Sequence, residues 1–214
     1  MTKLLYIEAS PRKDDAASIR AGAQFLVSLA TTRPDVEIDR LDLWNAELPD
    51  FDGALIAAKY AKLAGKAMDA DLAAAWDVIG ALTARFTAAD AIVIVTPMWN
   101  FGIPYKLKHW IDLITQPGLT FTFDPATGYA PVVASRPALV IMASAGDYSA
   151  GLSYGRPDLA TPYLETALAF LGIEGVAVEH VGPTAGPPEA VAAARADATE
   201  RLRHRAATFL ESVA

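Results

Sequence analysis

A chain of 214 residues can bury a sizeable hydrophobic core, and one without cysteine has no disulfide framework, thiolate metal site or cysteine nucleophile. Its 18 basic and 25 acidic side chains leave a formal charge of −7, which argues against DNA or RNA as a partner. The 53% hydrophobic content excludes a disordered chain, no apolar run reaches the ~18 residues that span a bilayer, and the opening Met1 to Glu8 lacks the apolar stretch of a secretory signal. These features predict a soluble cytoplasmic protein with neither membrane nor nucleic acid as a partner.

Short apolar runs alternate with helical patterns along the chain. Leu4 to Ile7 reads as a strand ended by Ser10-Pro11, and residues 16–30 as a helix with Ile19, Ala23, Leu26 and Ala30 on one face. Gly22 inside that helix is a weak point. Val36 to Leu43 partly alternates, as a strand open to solvent on one side would, and residues 52–64 and 71–87 read as helices. Ala91 to Val95 is a continuous apolar run, suited to a central parallel strand buried on both faces. Residues 103–114 form a helix with Pro104 in its first turn. The insertion 116–135 reads as a hairpin or long loop, marked by Asp124-Pro125 and Thr127-Gly128. Ala138 to Met142 is a buried strand, 160–171 a helix, Val176 to Val181 a strand and 189–212 a charged helix. This order predicts an α/β fold, a single domain over 1–214 with one doubly wound parallel sheet of about five strands and helices on both faces.

Ligands of such sheets bind beyond the carboxyl ends of the strands, near the switch in strand order. Three loops leave those ends: Ser10 to Ser18, Thr96 to Gly102 and Ala143 to Tyr148. The first runs into a helix N-terminus, where free N–H groups, Ser10, Ser18 and Arg12 suit a phosphate. Ser10-Pro11 as a plain turn and Asp15 as a helix cap are the alternative. The chain lacks both G-x-G-x-x-G and the P-loop pattern, which disfavours a dinucleotide site of the Rossmann kind and a P-loop. The second loop carries Met98, Trp99 and Phe101 with Asn100 and Gly102, flat side chains fit for a planar ligand or for packing against the next helix. Gly102 is expected to supply a positive φ and Asn100 to hold the turn.

Pro97-Met98-Trp99-Asn100-Phe101-Gly102-Ile103-Pro104, Leu107-Lys108, Trp110-Ile111-Asp112 and Gly118-Leu119-Thr120-Phe121 resemble the FMN-dependent NADH:azoreductase/NAD(P)H:quinone reductase family. Asp158 to Leu164, Phe170 to Ile173, the opening strand with Ser10 and the Ser144-x-Gly146 loop extend the resemblance over nearly the whole chain. It implies a flavodoxin-like fold, a homodimer, bound FMN, NADH or NADPH as co-substrate, and quinones or azo compounds as small aromatic acceptors. It also implies that Ser10, Arg12, Ala16 and Ser18 hold the FMN phosphate. Pro97, Met98, Trp99, Asn100 and Phe101 would wrap the ring, and Ser144, Ala145, Gly146 and Asp147 would close over it. Phe121, Phe123, Tyr148 and Tyr163 become candidate walls of the substrate pocket, with core or dimer packing as their alternative. Two departures stand out. Ala16 and Ala17 lie where the family often carries serines, so main-chain N–H groups must substitute, and Trp99 lies where tyrosine is common. Two-electron hydride transfer in a ping-pong cycle needs no side-chain nucleophile, so no catalytic side chain is assigned.

Two other readings compete. Gly151-Leu152-Ser153-Tyr154-Gly155 matches the hydrolase pattern G-x-S-x-G, but the strand expected before it ends near Ala143 and Arg156-Pro157 follows, so a flexible loop at the pocket mouth is expected instead. A flavodoxin-like electron carrier would need neither the 116–135 insertion nor the aromatic run. His109, His180 and His204 are too widely spaced to predict a metal site.

Overall fold

The apolar runs become the strands of one sheet, and the alternation of their side chains decides where the helices pack. The computed structural model describes residues 1–211, with Ala75 described by its backbone alone. The elements are β1 (Lys3–Glu8), a 3-10 turn (Lys13–Asp15), α1 (Ala17–Thr32), β2 (Glu37–Asp42), α2 (Gly53–Leu63), α3 (Ala70–Thr87) and β3 (Ala91–Pro97). They continue with α4 (Tyr105–Ile114), β4 (Phe121–Asp124), β5 (Gly128–Pro131), β6 (Ala138–Ala143), β7 (Leu152–Ser153), β8 (Arg156–Pro157), α5 (Thr161–Phe170), β9 (Ala177–Val181) and α6 (Pro188–Thr208). Ser212, the last residue of the expected C-terminal helix, lies outside the described residues.

The main sheet has five strands in the order β2-β1-β3-β6-β9, all parallel. The chain first moves from β1 out to β2 and then returns to place β3 on the other side of β1, so the switch in strand order lies between β1 and β3. Odd and even positions face opposite layers, as the two-residue period of a strand requires. Leu4, Tyr6, Val93, Val95, Leu139 and Ile141 meet Phe25 and Leu29 of α1 and Leu202 of α6. Leu5, Ile7, Ile92, Ile94, Val140 and Met142 meet Phe86 of α3, Trp110 and Ile114 of α4, and Leu164 and Leu168 of α5.

Gly22 reverses its sequence reading. A Cβ there would stand 2.2 Å from the Tyr6 hydroxyl and 2.5 Å from Val95 Cγ1, so the glycine is what lets α1 lie close against the sheet. Pro104 caps α4 from outside its first turn, with φ −58° and ψ 142°, and the helix begins at Tyr105. The insertion is a hairpin, pairing Phe121 with Pro131 and Phe123 with Tyr129. Gly151 to Gly155, expected as a flexible loop, belongs to a second hairpin in which Ser153 pairs with Arg156.

Candidate functional site

Three strands of the sheet end around one cleft. Its volume is about 300 Å³, and its lining includes Ser10, Arg12, Ala16 and Ser18 from the first loop, Pro97, Met98 and Trp99 from the second, and Ser144 and Ala145 from the third. The sequence reading missed Arg20 on α1 and Thr184, both of which also line it. Thr184 follows β9 in a fourth loop at the same edge, so the rule that selected the other three would have found it.

One end of the cleft is built by the start of α1. Asp15 does not cap that helix: the N-cap is Ala16, with φ −81° and ψ 127°, and no side chain satisfies the first turn. The terminal N–H groups and the positive end of the helix dipole are therefore directed to the cleft edge. Ser18 is 1% exposed, and its Oγ is buried without a hydrogen-bond partner among the described residues. A buried hydroxyl without a partner is uncommon in a folded protein. Ser10, also 1% exposed, accepts only a long 3.4 Å bond from the Arg12 amide. Arg12 and Arg20 add positive charge beside these groups, while Asp15 opposes it. Uncapped amides, two buried hydroxyls and two guanidinium groups gather here, a donor set whose chemistry suits an anion.

The second loop forms a tight hairpin at the end of β3. The Trp99 amide donates to the Gly102 carbonyl at 2.9 Å, and the Gly102 amide donates back at 3.0 Å. The turn residues between them, Asn100 and Phe101, have φ of 49° and 71°. Gly102 is not the residue with positive φ: the left-handed conformation falls on the two side-chain-bearing residues, and backbone bonds close the turn. Non-glycine residues held there cost on the order of 1–3 kcal/mol each and persist where neighbours over-determine them. The Met98 amide is fixed by the Ala143 carbonyl at 2.7 Å, and the Phe101 carbonyl by the Leu159 amide at 3.0 Å. Trp99 is braced edge-on by Trp44, whose Nε1 donates to the Ala9 carbonyl at 3.1 Å and so ties this loop to the end of β1. Trp44 follows β2 at the same sheet edge, but its isolated position in the sequence carries no sign of this role.

The third loop is held by its neighbours. The Ser144 hydroxyl donates to the Gly146 carbonyl at 2.8 Å, and the Thr184 hydroxyl donates to the Ser144 carbonyl at 2.9 Å. A Cβ on Gly146 would meet Ser153 Oγ at 2.1 Å, so this glycine allows the second hairpin to close over the loop. Hydrogen bonds from Ser149, and then the charges of His180 and Arg201, hold the Asp147 carboxyl below the usual carboxylate range. Asn100, Phe101, Gly146 and Asp147 belong to the same loops but do not line the cleft.

The four candidate pocket walls lie elsewhere in this chain. Phe121 is 4% exposed and packs 5.1 Å from Phe170, in a cluster with Tyr129. Tyr148 is buried, and Phe123 points outward at 51% exposure. Tyr163 packs against the core, where burial, with the Asp112 carboxylate as a lesser cause, pushes its hydroxyl pKa up to about 12. The hydrolase reading loses its geometry here. Ser153 lies on a short antiparallel strand followed by a turn, and His180 Nδ1 is buried with no partner among the described residues although Nε2 approaches Asp158 at 4.0 Å. Neither the strand-to-helix elbow nor a serine–histidine hydrogen bond is formed.

A doubly wound parallel sheet with a first loop rich in hydrogen-bond donors and an aromatic second loop at its switch point defines the class, and the chain belongs to the family described as flavodoxin-like fold, matched over residues 2–206. Within that family it is 47% identical over 210 residues to FMN-dependent NADH:quinone oxidoreductase 1 of Bradyrhizobium diazoefficiens, an alignment covering 98% of this chain and 100% of that one. It is 46% identical to FMN-dependent NADH:quinone oxidoreductase 9 of Burkholderia lata, over 84% of this chain and 88% of that one. Among solved structures, the FMN-dependent NADH-azoreductase from Bacillus anthracis str. Ames Ancestor in complex with FMN superposes with a TM-score of 0.81 at 29% identity, covering 96% of this chain and 100% of that one. The azoreductase from Bacillus anthracis str. Sterne reaches 0.87 at 25% identity, over 98% and 100% of the two chains.

Proposed function

We propose that this chain is an FMN-dependent oxidoreductase that uses NADH to reduce quinones and azo compounds. The observation that carries the reading is the buried, unpartnered Ser18 hydroxyl beside the uncapped start of α1, inside the cleft where β1, β3 and β6 end. That arrangement fits the phosphate of FMN. When bound, FMN supplies a hydride acceptor and donor at one site, so NADH and the second substrate can use that site in turn.

The chain's own groups bind and orient. Ser10, Ser18, Arg12 and the first amides of α1 hold the phosphate, with the N–H of Ala17 in the place of a side-chain donor. Pro97, Met98 and Trp99 form one wall for the ring, with the Asn100-Phe101 turn at its rim, while Ser144 and Ala145 form the other, backed by Gly146 and Asp147. The amides of Asn100 and Phe101, held in the closed turn and not used by its own bonds, would be the second-loop donors available to negative charge on the ring without having to reorient. The hairpin of β4 and β5 leaves Phe123, Tyr129 and Val132 exposed, an apolar patch that a second copy would cover in a homodimer. In that assembly the exposed Phe123 would reach the substrate pocket from across the interface, whereas Phe121 and Tyr148, buried within their own chain, serve packing, as does Tyr163 against the core. No described helix is long and apolar enough to cross a membrane. The cytoplasm, where NADH is made, is the proposed compartment, and the single folding unit is proposed to span the chain.

The test is direct. The purified protein should bind FMN with a visible flavin spectrum, and NADH should bleach that spectrum anaerobically. Adding a quinone should restore it in a second step. Flavin that binds but stays oxidised with NADH would point to an electron carrier and refute the reductase. A stable, active species of 22.7 kDa in sedimentation would refute the dimer.

A further inference from the structure

Asp158 lies outside the cleft, yet it shapes the segment that grips the strained turn of the second loop. Its side chain is only 6% exposed. Oδ1 accepts the amides of Ala160 at 2.8 Å and Thr161 at 2.9 Å, and Oδ2 accepts the Thr161 hydroxyl at 2.6 Å. Its own amide donates to the Gly151 carbonyl at 3.0 Å. The basic side chain near this carboxylate, among the described residues, is His180, with Nε2 at 4.0 Å. The carboxylate thus takes the amides of residues 160 and 161 to itself. The amide between them and Asp158, that of Leu159, is left to point away, and it donates to the Phe101 carbonyl at 3.0 Å. The Leu159 side chain is 56% exposed, so this backbone bond rather than side-chain burial is its link to the site.

Phe101 is where such a link matters. Its φ of 71° follows the 49° of Asn100, and neither residue has the freedom of glycine. The bonds between Trp99 and Gly102 close the turn from within, while the Leu159 amide holds it from outside. We propose that Asp158 is a positioning residue for the flavin-ring loop, acting through the Leu159 amide on the Phe101 carbonyl. The proposal rests on the assignment of that loop to FMN.

Amide exchange, FMN titration and a double-mutant cycle test it together. In the flavin-free wild-type protein the Leu159 amide should exchange at least about tenfold more slowly than in an unstructured chain, since only its hydrogen bond can protect it. Asp158→Ala should remove that protection and weaken FMN binding by about tenfold, whereas Asp158→Asn, which keeps an acceptor for both amides, should stay within about twofold of wild type. Phe101→Gly accepts φ near 71° without strain, so adding Asp158→Ala to it should cost at most about a third of the fold-loss seen in the Phe101 background. Independent, multiplicative effects of Asp158→Ala and Phe101→Gly would overturn the proposal, as would an unprotected Leu159 amide in the wild-type protein or equal losses in the Ala and Asn variants. If Asp158→Ala does not fold, the wild-type exchange rate and the Asn variant decide the matter. A wild-type protein that binds no FMN but protects Leu159 would sink the proposed function and leave the clamp standing.

Discussion

Ser18→Ala should move two measurements in opposite directions. The Ser18 hydroxyl is buried and has no hydrogen-bond partner among the described residues. A buried polar group left unsatisfied costs about 1–3 kcal/mol relative to one that is paired. Removing the hydroxyl removes that cost, and alanine is accepted in the first turn of α1. The apo variant should therefore melt higher, by about 2 °C or more, since 1 kcal/mol corresponds to roughly 2–4 °C in a domain of this size. With FMN the sign reverses. A hydrogen bond to a charged phosphate contributes about 1.5–3 kcal/mol, so affinity should fall by roughly tenfold to a hundredfold. The assays are differential scanning calorimetry of the apo protein and quenching of FMN fluorescence on titration. An apo variant that melts lower while binding FMN as tightly as wild type would refute the reasoning, because it would mean that the hydroxyl has a protein partner and no ligand.

The other predictions follow from particular contacts. Gly22→Ala drives a Cβ into Tyr6 and Val95, two fixed core side chains, and should destabilise the fold by about 1–3 kcal/mol in urea denaturation. Gly102→Ala should leave FMN affinity within about twofold by titration, because its φ is not left-handed and an added Cβ meets nothing closer than the Trp99 carbonyl at 4.0 Å. Ser153→Ala should leave the NADH:quinone rate within about twofold in steady-state assays, a change typical of a residue outside the chemistry; an esterase activity lost in this variant would revive the hydrolase reading. The Arg85 guanidinium, bonded to both oxygens of Asp39, holds that carboxyl below its ordinary 3.8. Such a group stabilises the fold above its unfolded pKa, and the contribution is lost as pH falls through the lower, folded value. Asp39→Asn should therefore cost about 1 kcal/mol at neutral pH, and the variant's urea midpoint should converge on the wild type's as pH drops below about 4.

The sequence by itself determined the sheet and the edge at which a ligand could bind. Ala91 to Val95 and Ala138 to Met142 are apolar at every position, a pattern that suits a short strand buried on both faces, and strand and helix alternate as a parallel sheet demands. Once parallel strands were legible, the loops at their carboxyl ends became the candidate site, and Ser10, Ser18, Met98, Trp99 and Ser144, which line one cleft, stood in them. Tertiary structure decided what no local pattern encodes. Gly22 reads as a helix defect until Tyr6 and Val95, distant in sequence, are seen to fill the space of its missing side chain. Gly102 reads as the flexible turn residue, yet the bonds between Trp99 and Gly102 put the left-handed backbone on Asn100 and Phe101. Trp44 and Thr184 reach the site from other strands, and Asp158 reaches it through another residue's amide. These residues act through contacts between segments far apart in the chain, and such contacts leave no periodicity to read because folding alone creates them.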